Sequence, residues 1–138
     1  MQEKSQILIN KIREKNIDAD IFMSYRSFDE QAKLYAKGRT EPGTIVTNAK
    51  PGYSYHNYGL AFDVVFKKDG NWSWSEEHDW AALGRLGKEL GFHWGGDWGW
   101  DKPHFELNFG HTVDDLLAIF NKDKLLSDVW EHLDAAPI

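Results

Sequence analysis

The run Leu60-Ala61-Phe62-Asp63-Val64-Val65-Phe66 constrains this chain more than any other stretch. It is short, it follows Gly59, and it is apolar on both alternating faces. That is the pattern of a buried strand, with Leu60, Phe62 and Val64 on one side and Ala61, Asp63 and Val65 on the other. One carboxylate interrupts the pattern. Burying Asp63 alone is costly, so the fold must bring it a partner, and a metal ion is one such partner.

Two histidines supply candidates for the same metal. His56 lies in Ser54-Tyr55-His56-Asn57-Tyr58-Gly59, and His104 lies in Trp100-Asp101-Lys102-Pro103-His104-Phe105-Glu106. Taken singly, His56 reads as a loop histidine and His104 as a strand-edge one. Neighbouring antiparallel strands can bring such residues together. With Asp63 they make two imidazoles and one carboxylate. Catalytic zinc keeps three protein ligands and leaves the fourth position for water, whereas structural zinc closes with four and draws on cysteine. The chain has no cysteine. Asp101, three residues before His104, is a spare carboxylate. It can serve a bound water as general base, or be a plain turn residue before Lys102-Pro103. Glu106 shares a strand face with His104, where it either orients an imidazole or pairs with a lysine. His78, His93, His111 and His132 match no motif position and read as structural or surface residues.

Around these segments the pattern predicts a mixed fold. Gln2 to Lys15 carries Ile7, Leu8 and Ile12 at helical spacing, and Asp18 to Tyr25 reads as a strand. Ser27 with Glu30 is a capping-box signal for a helix running to about Lys37 and stopping at Gly38. Pro42-Gly43 and Pro51-Gly52 mark a long loop over 41–53. Lys67-Lys68-Asp69-Gly70 reads as a hairpin turn. Glu76 to Leu90 reads as a helix ending at Gly91, Gly95 to Gly99 as a flexible loop, and His104 to Leu107 as a short strand. Asp114 to Phe120 and Lys124 to Leu133, Leu125 included, read as two short helices. Trp94, Trp98 and Trp100 either pack or line a cleft. The expectation is an α+β fold, a small antiparallel sheet carrying the metal residues with helices around it.

A net charge of −6 and a pI near 5.4 argue against nucleic acid as partner, because phosphate binding needs a basic surface. No run approaches the ~18 apolar residues of a membrane span, so no membrane insertion is expected. Met1 to Lys15 is charged throughout and lacks the apolar core of a signal peptide.

The pattern Ser-x-His-x-x-Gly-x-Ala-x-Asp, followed by Asp-x-Pro-His-Phe, resembles the LAS group of zinc peptidases. That group takes in lysostaphin-type enzymes, D-Ala-D-Ala metallopeptidases and the hedgehog signalling domain. Ser24-Tyr25-Arg26-Ser27-Phe28-Asp29-Glu30-Gln31, Gly38-Arg39 and Thr47-Asn48-Ala49 resemble its VanY-like branch. Within that branch the chain is most similar to the L-alanyl-D-glutamate endopeptidases of phage endolysins and bacterial autolysins. The similarity runs from about Asp20 to Leu107.

The resemblance implies Zn²⁺ held by His56, Asp63 and His104, with Asp101 as the catalytic carboxylate. The carboxypeptidases of the group typically carry glutamate at that position, and the endopeptidases tend to carry aspartate. The resemblance also turns Arg26 toward the reacting carbonyl, with Ser54 and Gln31 as candidates for substrate hydrogen bonds. The implied partner is the peptidoglycan stem peptide, cut at L-Ala-D-Glu by a monomer. On an anionic wall, a chain of charge −6 must recognise its substrate at short range. Without a leader, such a wall enzyme is a phage lysin released from the cytoplasm or a trimmed secreted protein. The expected organisation is a zinc peptidase domain over 1–108 and a helical extension over 109–138 packed on the same domain. Three other readings compete. They are a D-alanyl-D-alanine carboxypeptidase, a non-catalytic zinc-containing binding module, and glycan cleavage by paired carboxylates, for which no acidic pair has a motif around it.

Overall fold

The computed structural model describes residues 2–124 and 126–134; Leu125 and residues 135–138, assigned above to the C-terminal extension, lie outside the described residues. Two compact units emerge. One combines Met1–Ser24 with Ala61–Leu107, and the other combines Tyr25–Leu60 with Asn108–Ile138.

The first unit holds the whole sheet. Its strands are β1 (Ala19–Met23), β2 (Ala61–Lys68), β3 (Asn71–Ser73), β4 (His93–Trp94) and β5 (His104–Glu106). All pairings are antiparallel in the order β1-β2-β5-β4, and β3 also pairs with β2. The apolar run that opened the argument is therefore the central strand. Asp69 and Gly70, with φ of 53° and 81°, form the two-residue turn from β2 to β3, the left-handed geometry that suits a tight hairpin. Helices α1 (Gln2–Glu14) and α3 (Trp80–Glu89) belong to this unit. Leu8, Ile9 and Ile12 of α1 and Leu83 of α3 join Phe62, Val64, Phe66, Phe92 and Phe105 in one buried cluster. Each such side chain contributes about 1.5–3 kcal/mol by leaving water.

The second unit contains α2 (Phe28–Ala36), a single 3-10 turn over Tyr55–Tyr58, α4 (Val113–Asp123) and α5 (Leu126–Asp134). Ser27 caps α2 as expected, with its hydroxyl taking the Glu30 N–H and the Glu30 carboxylate taking the Ser27 N–H. The apolar residues Leu116, Val129 and Leu133 cluster with Tyr58 and Leu60.

The expected α+β architecture is present, with three differences. Helix α3 starts at Trp80 rather than Glu76, because the Asp79 carboxylate accepts from the Ala82 N–H and fixes the start there. Gly95–Trp98, expected as loose loop, is a 3-10 turn. Strands β3 and β4 are three and two residues long, too short for periodicity to announce.

Candidate metal centre

His56 sits, buried, on the Tyr55–Tyr58 turn. The Ser54 hydroxyl caps that turn by accepting from the His56 N–H at 3.3 Å. Gly59 ends it at φ 69°, a conformation that glycine adopts at no steric cost. The glycine of the motif is thus a backbone requirement placed two residues before β2 begins. The Arg26 N–H donates to the His56 carbonyl at 3.0 Å.

Gln31 is fully buried. Its Oε1 accepts from Arg26 Nη1 at 3.0 Å, and its Nε2 donates to the Ala49 carbonyl at 2.8 Å. Asn57 escapes the sequence reading. It is also fully buried, donating to the Arg26 carbonyl at 2.9 Å and accepting from the Gly52 N–H at 3.1 Å. Its only signal was its place beside His56, since an asparagine in a loop ordinarily reads as a turn residue. Among the described residues, Arg26 Nε is buried without a hydrogen-bond partner.

In the other unit, Asp63 of β2 stands directly across from His104 of β5. His104 Nδ1 lies 3.5 Å from Asp63 Oδ1 and 3.8 Å from Asp101 Oδ2. On the far side of the ring, Nε2 meets Glu106 Oε1 at 2.8 Å, so Glu106 orients the imidazole. Burial pushes the His104 pKa down. Hydrogen bonds to Asp63 and Glu106, with the charges of Asp63 and Asp101, overcome that and lift it to about 9.

Asp101 is set by a close turn. Its N–H donates to the Gly95 carbonyl at 3.3 Å, and its own carbonyl accepts from the His104 N–H at 3.1 Å. A Cβ on Gly95 would overlap the Asp101 carbonyl oxygen and crowd His104. Trp94 is anchored by its indole N–H on the Lys102 carbonyl at 2.7 Å. Trp98 and Trp100 are exposed, with the Trp98 ring centred 5.3 Å from that of His104.

His56, Asp63 and His104 each offer one ligand atom, and these atoms all lie within 4.8 Å of one another. Two imidazoles and a carboxylate are a donor set that suits a divalent metal of borderline softness. His78 stacks on Phe66 at 4.4 Å and meets the Ser73 hydroxyl at 2.7 Å.

Two histidines and an aspartate offered together are the donor set of a metallopeptidase class, and the chain belongs to the VanY family, described as D-alanyl-D-alanine carboxypeptidase, through residues 1–100. That stretch includes Arg26, His56 and Asp63 and stops just short of Asp101 and His104. Among individual proteins, the chain is 48% identical to the peptidoglycan L-alanyl-D-glutamate endopeptidase CwlK of Bacillus subtilis (strain 168). The similarity covers 67% of this chain and 62% of that relative, so the chain matches about three fifths of its length. Among solved structures, it resembles the L,D-carboxypeptidase DacB from Streptococcus pneumonia with TM-score 0.58 and 25% identity, over 84% of this chain and 68% of that one. It also resembles the LdcB LD-carboxypeptidase with TM-score 0.51 and 29% identity, over 66% and 51%. Among the described residues, no helix is long and apolar enough to cross a membrane.

Proposed function

We propose that this chain is a zinc-dependent peptidoglycan hydrolase that cuts the L-alanyl-D-glutamate bond of the stem peptide. The observation that carries the reading is the His56, Asp63 and His104 donor group with the Asp101 carboxylate 3.8 Å from His104. The 48% identity to an endopeptidase of that specificity supports the choice of bond. Aspartate rather than glutamate at position 101 points the same way.

Zinc, when bound, polarises the scissile carbonyl and lowers the pKa of its water toward ~7. The chain's own residues do the rest. Glu106 holds His104 in the tautomer that presents Nδ1, with Nε2–H donating to the carboxylate. Asp101 takes the proton from the attacking water and passes it to the leaving amine. The Arg26 guanidinium meets the carbonyl oxygen as it gains negative charge. Gln31 acts through Arg26, since its amide is spent on Arg26 and Ala49. The Ser54 hydroxyl, which caps the His56 turn, is the candidate for a further hydrogen bond to the peptide. The substrate places the work at the bacterial cell wall.

Digestion of purified muropeptides followed by mass spectrometry tests the reading. New D-glutamate amino termini are expected. Release of a terminal D-alanine alone would make the chain a carboxypeptidase. Intact muropeptides in the presence of zinc would leave only a binding module.

A further inference from the structure

Phe22, Trp72 and Trp74 are large, exposed and clustered. The Phe22 ring lies edge-on between the two indoles, with centroids 5.3 Å from Trp72 and 5.0 Å from Trp74 and interplanar angles of 84°. Exposed aromatics gathered in this way mark contact sites rather than ordinary surface. The cluster is also held rigidly. Ser73, between the tryptophans, is tied to His78 at 2.7 Å, and the Ser75 carbonyl accepts from the Trp80 indole at 2.9 Å. The Lys67 ammonium stands 4.7 Å from the Trp72 ring centre, a cation–π contact that fixes the ring.

The strand register places this cluster beside the metal residues. Lys67 pairs with Trp72 and Asp63 pairs with His104. Residues 63 and 67 share a face of β2, so Trp72, Asp63 and His104 lie on the same side of the sheet. β1 occupies one edge of β2, pairing with both Asp63 and Phe66. β3 and β5, which also pair with those two residues, must therefore share the other edge. The register sets Trp72 at the level of Lys67, four residues or about 13 Å along the strand from the Asp63–His104 pair, and Trp74 follows β3 directly.

We infer that Phe22, Trp72 and Trp74 form a stacking platform for the N-acetylated sugar strand to which the stem peptide is attached. The inference rests on the proposed function and names a second contact for the same substrate. Pyranose rings present apolar C–H faces, and rigid indoles exposed on one face are the surface that packs against them. Other occupants fit poorly. A net charge of −6 disfavours an anionic lipid surface. Three side chains fall far short of the roughly 800 Å² per partner of a stable protein interface.

The test has two arms. First, the wild-type protein is titrated with the β-1,4-linked tetramer of N-acetylglucosamine while its indole N–H resonances are followed, with Trp72→Thr and Trp74→Thr identifying two of them. Saturable shifts at Trp72 and Trp74 are expected. No shift at those two resonances at millimolar sugar overturns the platform. Second, the double variant is compared with wild type on a disaccharide-bearing stem peptide and on the bare peptide. The expected result is a loss of roughly tenfold in kcat/KM on the first and none on the second. An equal loss on both would mean that the aromatics only support the fold. If wild-type protein cuts neither substrate, the proposed function fails, and the sugar titration still decides the platform.

Discussion

At the residue scale, the donor group is legible in sequence because metal chemistry restricts residue type as well as spacing. A carboxylate on an apolar strand needs a partner, and two motif histidines were the available ones. Changing His56 to alanine should abolish activity and lower bound zinc, read by metal analysis of the purified variant. Asp101→Asn should keep both fold and zinc yet lose on the order of 10²–10⁴-fold in rate, the usual worth of a general base. Near-normal turnover would assign that work elsewhere. His104 gives a pH signature. Its pKa is raised from 6.5 to about 9, so its stabilisation is complete below the unfolded value and is lost as pH rises through the folded one. Metal-stripped protein should therefore lose Tm between pH 6.5 and about 9. Zinc requires the neutral imidazole, so the loaded protein should show no such loss. A flat Tm for the stripped protein would contradict the carboxylate cage drawn around His104. What the sequence hides is the Arg26–Gln31–Asn57 network. Buried amides of this kind are recognised by what surrounds them, and side-chain type alone reads as surface.

At the element scale, the long periodic helices and the apolar strand β2 were predictable, because burial writes a period of 3.6 or 2 into the residues. Strands β3 and β4 were not, since their positions come from pairing with β2 and β5. The 3-10 turn at Gly95–Trp98 is a case where glycine content suggested looseness while close packing demanded glycine. Gly95→Ala should push Asp101 and His104 apart from their present positions, lowering activity more than stability. A variant with unchanged kcat would show that the turn yields without moving Asp101. Helices α4 and α5 carry Leu116, Val129 and Leu133 into contact with Tyr58 and Leu60, and the Trp130 indole N–H donates to the Tyr58 carbonyl at 2.9 Å. Deleting residues 109–138 should uncover that cluster, at about 1.5–3 kcal/mol per exposed side chain. Because His56 shares its turn with Tyr58, zinc content should fall along with Tm. Equal stability and metal content after truncation would show that the helices are dispensable to the turn.

At the scale of the whole molecule, net charge decides how the protein meets its proposed substrate. A chain of charge −6 is repelled by an anionic wall at low salt. Screening at about 0.15 M ionic strength shortens the reach of that repulsion to roughly 8 Å. Activity on intact walls should thus rise with salt up to that range, while activity on a soluble stem peptide should barely change. A steady fall with salt on both would point to an attractive charge contact. The two units have a temporal consequence as well. The chain leaves the first at Ser24 and returns at Ala61, and it leaves the second at Leu60 and returns at Asn108. Each is thus closed by a late segment, at the entropic cost of joining distant stretches. During synthesis, β1 emerges long before its partner β2, and β5 with His104 comes later still. A nascent chain that has passed Asp63 but not yet His104 therefore holds two members of the donor group without the third, and the group is complete only once β5 has emerged.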